Sequence, residues 1–205
     1  NKYPHLLPVA YSSDKILFPD VIKDFFYYVY NKLKNKELVR VIVKAPRGGG
    51  KSRVLASLEL CLWYLLKFDV VNLGGSFKQA SKVYSYLTPA FFSNFMTNDI
   101  VRSIQIETKL KTGSSIFVLA ATEKQTRSPH VGSQEKGGAL VVDEVCEADD
   151  EIIESAIPVV NTANPSAIIL SSTFHKAFGI FQHYWDNAND LGYKKFQWDI
   201  FDVSQ

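Results

Sequence analysis

The sequence predicts an α/β protein with a mainly parallel β-sheet flanked by helices. The first reason is that short β-branched segments alternate with helical segments of ten or more residues, and such crossovers join parallel strands. The second is that 205 residues with 46% hydrophobic and 21% charged side chains suit one domain with a full core. The third is that three predicted strands end in reactive residues, at the edge where such sheets bind ligands. We therefore treat 1–205 as a single domain and exclude a coiled coil, a disordered chain and a disulfide-rich scaffold.

The first third of the chain divides into an extended segment, a helix, a strand and a second helix. Prolines at positions 4, 8 and 19 disfavour a helix in residues 1–18. Apolar residues then recur at helical spacing from Pro19 to Asn35, and a proline suits the first turn of a helix. Leu38–Lys44 is rich in β-branched residues and predicts a buried strand, whereas Lys51–Phe68 has the length and pattern of a helix.

The middle of the chain predicts one more strand–helix unit and a hairpin. Asp69–Gly75 has the apolar composition of a second strand, and Lys78–Phe95 continues as a long helix. Val101–Glu107 and Ser114–Ala120 flank a turn at Lys111–Gly113. We expect these two segments to pair with each other as a β-hairpin.

The last third returns to alternating strands and helices. Ala139–Val142 is a short apolar strand that runs into two acids, and Ala167–Leu170 is a buried strand that runs into hydroxyl residues. A helix is predicted at Glu151–Val160, since the acids around its start complement the positive end of a helix dipole. A further helix at Phe178–Asn189 and a strand at Tyr193–Ile200 end the chain.

Charge is distributed unevenly along the chain. Residues 1–140 carry 20 Lys and Arg against 10 Asp and Glu, whereas residues 141–205 carry 3 against 11. An uneven solvated surface and a basic face for a polyanion both fit this split.

Cys61 and Cys146 are expected to be free thiols in a reducing compartment, although sequence leaves a disulfide open. No apolar run reaches the roughly 18 residues of a membrane span, so we expect no membrane contact. The first residue, Asn1, indicates a piece of a longer protein.

A phosphate-binding loop is predicted between the first strand and the helix that follows it. The run GGGKS matches the general pattern Gly-x-x-x-x-Gly-Lys-[Ser/Thr], with Ala45 in place of the first glycine. Glycines let the backbone wrap closely around phosphate oxygens, and the helix N-terminus offers free N–H groups. Lys51 is expected to reach the β- and γ-phosphates of ATP, and the Ser52 hydroxyl to bind Mg²⁺. The predicted nucleotide-binding residues are Pro46, Arg47, Gly48, Gly49, Gly50, Lys51 and Ser52.

Arg47 lies inside this loop, four residues before Lys51. A guanidinium at this position can lie against the γ-phosphate and stabilise the charge of the transition state. Surface charge or an ion pair is the alternative role.

Two acids and three hydroxyl residues follow the last two buried strands. Asp143 at a strand end can hold Mg²⁺ through water, and the carboxylate of Glu144 can polarise the water that attacks the γ-phosphate. An acid after an apolar run is a weak signal alone, and the phosphate-binding loop strengthens it. The hydroxyl residues either sense the γ-phosphate or cap the next segment: Ser171, Ser172 and Thr173.

Five segments taken in order resemble the ATPase domain of the large terminase subunit, the DNA-packaging motor of tailed bacteriophages. They are PRGGGKS, GGSFKQASKVYSYL, TRSPHVG, LVVDE and SST. Many ATPases share the phosphate-binding loop and the acids. The order of all five segments, with an arginine inside the loop, is much more specific to this family.

The resemblance implies an ATPase of the additional-strand, catalytic-Glu type that translocates double-stranded DNA into a procapsid in the host cytoplasm. It makes Asp143 the Mg²⁺-associated acid, Glu144 the catalytic carboxylate and Ser171–Thr173 the motif that couples hydrolysis to movement. Arg47 becomes the phosphate-contacting loop arginine, and Arg127 a candidate finger acting on the ATP of a neighbouring subunit. Implied partners are the portal protein ring, a small terminase subunit and further copies of the chain in a ring, with a monomer in isolation.

The chain departs from the family pattern in two places. Terminases carry a glutamine near the start that reads adenine, but this chain has no Gln before Gln79, which leaves the adenine contacts open around Tyr11–Phe18. Terminases also carry a C-terminal metal nuclease domain, for which a chain ending at Gln205 has no room. We therefore expect no DNA cleavage from this fragment.

Two other functions fit part of the same pattern. A helicase-like ATPase lobe would share the acids and the hydroxyl run, but it needs a second lobe to supply an arginine. A nucleotide-gated binding module would hold ATP without turnover, and the intact set of Lys51, Ser52, Asp143 and Glu144 disfavours it.

Overall fold

The computed structural model describes residues 19–74, 76–92, 96–120, 131–173 and 179–203. The strands of this part of the chain are β1 (Val39–Lys44), β2 (Asp69–Gly74), β3 (Ile100–Ile104), β4 (Glu107–Leu110), β5 (Ser115–Ala120), β6 (Gly138–Val142), β7 (Ser166–Ser172) and β8 (Lys194–Gln197). The helices are α1 (Asp20–Lys34), α2 (Lys51–Tyr64), α3 (Phe77–Phe91), α4 (Asp150–Ala156), α5 (Ile180–Asp186) and α6 (Ile200–Val203). Short 3-10 helices lie at Thr97–Asp99, Val145–Glu147 and Ile157–Val160.

All the strands of the described ranges join one sheet in the order β3-β4-β5-β2-β6-β7-β1-β8. The strands β5-β2-β6-β7-β1-β8 pair in parallel with their neighbours, whereas β3 and β4 add an antiparallel edge. Strand β7 lies between β1 and β6, and Lys44 and Val142 pair with Ser172 and Leu170 of β7. The parallel arrangement therefore brings the ends of β1, β6 and β7 to one edge of the sheet.

Each face of the sheet carries its own hydrophobic core. Val41 and Val43 point to the face covered by α1, α2 and α3, whereas Ile42 between them packs with the core on the opposite face. Because side chains alternate along a strand, every central strand contributes to both cores, as expected for a parallel sheet covered on both sides. The predicted α/β fold with flanking helices is confirmed.

The predicted hairpin between Val101–Glu107 and Ser114–Ala120 is wrong. Strand β4 lies between β3 and β5 and pairs antiparallel with both, so this region forms a three-stranded meander. Thr108 and Leu110 alternate inward along β4, which makes this short polar segment a half-buried strand rather than part of a loop.

Several predicted elements end earlier than expected, for local reasons. The predicted helix at Glu151–Val160 is α-helical only to Ala156 and tightens into a 3-10 turn, because Pro158 cannot supply a helical N–H. The predicted strand at Tyr193–Ile200 ends at Gln197. After it, the Asp199 carboxylate accepts hydrogen bonds from the backbone N–H groups of Phe201 and Asp202 and starts α6.

Within the described residues, neither Cys61 nor Cys146 forms a disulfide, and the predicted reducing compartment stays a prediction. No helix in the described part of the chain has the length and apolar character to cross a membrane. The predicted extended segment 1–18 lies outside the described residues.

Candidate functional site

A glycine loop (residues 45–50) connects the end of β1 to the start of α2. Gly48 and Gly50 have φ angles of 79° and 74°, a left-handed conformation that glycine adopts without steric cost. The N–H of Gly49 donates to the carbonyl of Pro46 at 3.1 Å, which closes the turn. Helix α2 then begins at Lys51, so its first N–H groups face the space enclosed by the loop.

Lys51 is held inside this loop and is only 5% exposed. Its ammonium donates to the carbonyls of Ala45 at 3.0 Å and Pro46 at 3.3 Å, and lies 3.8 Å from Oε1 of Glu144. Burial lowers the pKa of Lys51, and the nearby carboxylates of Glu144 and Asp143 oppose that change. The side chain is therefore positioned by the loop backbone and faces the two acids.

Ser52 and Asp143 meet although they lie 91 residues apart. The Ser52 hydroxyl donates to Oδ2 of Asp143 at 2.5 Å, and the Ser171 hydroxyl donates to Oδ1 at 2.9 Å. Asp143 is 2% exposed, and this burial raises the pKa of its carboxyl, whereas the hydrogen bonds from Ser52 and Ser171 lower it. A buried carboxylate beside a hydroxyl is thereby brought to the end of the glycine loop.

This pair of oxygen donors fits Mg²⁺, which prefers carboxylate and hydroxyl oxygens and keeps several waters. Across the described residues, no cluster of three His, Cys, Asp or Glu side chains is placed to hold a metal. A divalent ion at Ser52 and Asp143 would therefore complete its shell with water and phosphate oxygens.

Glu144 has a left-handed backbone conformation, with φ at 54° and ψ at 50°. This conformation is uncommon for a residue with a side chain and marks functional sites more often than other positions. Oε2 of Glu144 accepts hydrogen bonds from the hydroxyl of Thr173 at 3.0 Å and from its N–H at 3.3 Å. The Glu144 carboxylate is thus fixed between Lys51 and Thr173.

The three hydroxyl residues at and just after the end of β7 each contact a different part of this arrangement. Ser171 binds Asp143, and Thr173 binds Glu144. The Ser172 hydroxyl accepts from the N–H of Cys146 at 3.2 Å, and the Ser172 carbonyl accepts from the N–H of Ala45 at 3.3 Å. The end of β7 therefore connects the acids after β6 to the glycine loop after β1.

These residues surround an open cleft of about 700 Å³. Arg47 and Lys51 line it on the side of the loop, and Asp143 and Glu144 line it at the sheet edge. The sequence reasoning missed five further lining residues: Arg53, Gln79, Lys82, Tyr86 and Glu147. Three of these, Gln79, Lys82 and Tyr86, lie on one face of α3 at spacings of three and four. This stripe lies beside the buried stripe of Ala80, Val83 and Leu87, and the sequence itself contains it. Arg127 and the segment Tyr11–Phe18 lie outside the described residues.

The fold of the chain matches a solved phage protein. A large terminase from a thermophilic bacteriophage superposes with a TM-score of 0.68 at 10% sequence identity. The chain has a terminase fold. The superposition covers 91% of this chain and 47% of the terminase chain, so the chain spans about half the length of that protein. No protein-family model matches the sequence, and no curated protein matches it either.

Within this terminase fold, a tryptophan that the sequence reasoning missed supports the glycine loop. The indole N–H of Trp198 donates to the carbonyl of Gly49 at 2.7 Å, across 149 residues. The backbone N–H of Trp198 donates to the Lys44 carbonyl at 3.2 Å, which extends the pairing of β8 with β1. Trp198 is 2% exposed, and its ring lies 6.1 Å from that of Phe25 in α1. The loop is therefore fixed to the edge of the sheet as well as to its own helix.

A buried acid lies behind the loop in the same terminase fold. Glu59 in α2 is completely buried, and its Oε2 accepts from the amide of Asn72 in β2 at 3.3 Å. Burial raises the pKa of Glu59 well above its ordinary value, and the negative charge of Asp143 adds to the rise. Glu59 is thus favoured as a neutral acid inside the core.

Proposed function

We propose that this chain is the ATPase motor domain of a large terminase, which hydrolyses ATP to ADP and phosphate and translocates double-stranded viral DNA into a procapsid. The observation that carries the proposal is the contact between Ser52 and Asp143 at 2.5 Å. This contact joins the residue after the loop lysine to the acid at the end of β6, which is the pairing that an Mg²⁺–ATP site needs.

The strand order supports the additional-strand, catalytic-Glu type of P-loop ATPase. Strand β7 separates β1, which carries the glycine loop, from β6, which carries the acids. In this class an extra strand lies between the strand that ends in the phosphate-binding loop and the strand that ends in the catalytic carboxylate. The hydroxyl residues at the end of β7 then lie between the two.

The binding step of the mechanism follows from the positions of the side chains. The glycine loop and the N-terminus of α2 bind the phosphates through backbone N–H groups, and Lys51 adds a charge that its carbonyl contacts hold in place. Ser52 and Asp143 are the residues that would hold Mg²⁺, which neutralises phosphate charge when bound. Arg47 lines the same cleft and binds the γ-phosphate.

In the chemical step, Glu144 orients the attacking water and accepts its proton, and ADP leaves from the γ-phosphorus. The two hydrogen bonds from Thr173 keep the Glu144 carboxylate in one orientation. Because Thr173 directly follows the strand that contains Ser171, a change at Glu144 or Asp143 passes into β7. We propose that Ser171, Ser172 and Thr173 couple hydrolysis to movement in this way, and that Arg127 acts on the ATP of a neighbouring subunit.

The proposed surroundings of the domain follow from the terminase assignment. The chain would work in the host cytoplasm as a ring on the portal protein, with a small terminase subunit that recognises the viral DNA. In isolation it would be a monomer.

The test compares three variants for ATP binding and ATP hydrolysis. Glu144→Gln should bind ATP normally and lose hydrolysis by about 10²-fold or more, because the base is gone and the phosphate contacts remain. Lys51→Ala should weaken ATP binding itself. Glu151→Gln is the matched control, since this exposed acid lies on α4 and does not line the cleft. Hydrolysis by Glu144→Gln at the parent rate would contradict the role of Glu144.

A second experiment tests the DNA motor. ATP hydrolysis should rise with intact duplex DNA, and rise further with the portal ring. Unwinding of a forked duplex without movement on intact duplex would instead indicate a helicase-like lobe.

A further inference from the structure

Helix α3 forms a wall of the cleft that neither the glycine loop nor the acids supply. It begins directly after β2, which pairs with β6, so its first turns lie on the side of the cleft where the acids of β6 end. Gln79, Lys82 and Tyr86 project from it into the cleft. Lys82 is the only cation that α3 contributes to the described lining of the cleft.

The charge of Lys82 acts on the loop lysine. Lys82, Arg47 and Lys51 all line the same cleft, so their like charges repel one another there. Within the described residues, no carboxylate forms an ion pair with Lys82. Three cations therefore line one volume, and an anion bound there would offset their mutual repulsion.

Position distinguishes Lys82 from the other two cations. Arg47 and Lys51 belong to the loop and to the start of α2, whereas Lys82 belongs to α3, which packs with α2 on the same face of the sheet. Glu144, which would orient the attacking water, lines the same cleft at the sheet edge, 3.8 Å from Lys51. The phosphate nearest to Glu144 is the γ-phosphate.

We infer that Lys82 of α3 binds the γ-phosphate in addition to the glycine loop, so that the cleft selects nucleoside triphosphates over diphosphates. This inference rests on the proposed ATPase function and names a phosphate contact beyond the loop. A diphosphate has no γ-phosphate to contact Lys82, so its affinity should not change when Lys82 is replaced.

The experiment measures ATP and ADP affinities by calorimetry in a Glu144→Gln background, with Mg²⁺ held constant, so that binding is read without turnover. Lys82→Met should raise the Kd for ATP about tenfold, as expected for a lost hydrogen bond between charged groups, and change the Kd for ADP by less than about twofold. Lys82→Arg should keep the ATP preference. Lys78→Met is the charge-matched control, because Lys78 is exposed one turn earlier on α3 and does not line the cleft.

The outcomes separate this inference from the proposed function. If Lys51→Ala loses ATP binding while Lys82→Met keeps the parent ratio of ATP to ADP affinity, the inference is wrong and the ATPase proposal stands. Equal weakening of ATP and ADP by Lys82→Met, or the same ATP effect from Lys78→Met, would also overturn it. Failure of the parent chain to bind ATP would overturn both.

Discussion

Trp198→Phe should weaken nucleotide binding although residue 198 lies far from the loop in sequence. The indole N–H of Trp198 donates to the Gly49 carbonyl at 2.7 Å, and phenylalanine has no group to replace it. Gly49 is buried, so its carbonyl would lose a partner that water cannot easily supply. The loop would then be held in its phosphate-binding shape mainly by its own turn and by α2.

The size of the effect follows from this hydrogen bond. A buried acceptor without its partner costs about 1–3 kcal/mol of folding stability, and the smaller ring adds a little for the space it leaves. Part of the loss appears in binding, because the loop must regain its shape when phosphate binds. We expect the Kd for ATP to rise about three- to tenfold, which corresponds to about 0.7–1.4 kcal/mol.

Trp63→Phe provides a matched control. Trp63 is also fully buried, and its indole N–H also donates to a backbone carbonyl, that of Ser114 at 3.0 Å, away from the glycine loop. Urea denaturation should show a similar loss of stability in both variants, whereas calorimetry should show weaker ATP binding only in Trp198→Phe. Equal ATP affinities in the two variants would refute the view that Trp198 supports the loop.

Two further predictions concern the core behind the site. Glu59 has a higher pKa when folded than when unfolded, so the native state keeps a proton that the unfolded chain releases. The free energy of unfolding should fall by about 1.4 kcal/mol per pH unit as the pH rises from about 4.3 to the folded pKa. Glu59→Gln should remove this pH dependence of the unfolding free energy, measured from denaturation curves across the same pH range. An unchanged pH dependence would mean that another group causes it. Gly74→Ala should destabilise by about 1–3 kcal/mol, because an added Cβ would lie 2.4 Å from the backbone nitrogen of Ala80 in α3. A denaturation midpoint equal to that of the parent would show that α3 moves freely at this contact.

Local sequence patterns predicted most of the fold and part of the candidate site. The glycine loop between β1 and α2 was predicted because glycines, a lysine and a serine at fixed spacing impose a local backbone path. Asp143, Glu144 and Ser171–Thr173 were identified because each follows an apolar strand, and parallel strands end at one edge. Their convergence at one edge of the sheet was predicted. The structure adds the hydrogen bonds of Ser171 to Asp143 and of Thr173 to Glu144, which position the two acids.

The errors in the predicted fold have two causes: tertiary contacts make β4 a strand, and a local capping signal at Asp199 ends the last strand early. Strand β4 has four residues, a mixed polar composition and no strong apolar alternation, so only its two neighbours in the sheet make it a strand. The final predicted strand ended early because the Asp199 side chain redirected the backbone, a local signal that the apolar pattern concealed.

Local patterns of residues were enough to specify the alternation of strands and helices, the glycine loop, and the acids and hydroxyls at the strand ends. These features depend on residues close together in the chain, where spacing constrains geometry directly. The position of β7 between β1 and β6, the place of Lys82 in the cleft and the contact of Trp198 with Gly49 came from tertiary packing. Such contacts depend on the order of strands in the sheet, and strand order results from the packing of two whole cores rather than from any local run of residues.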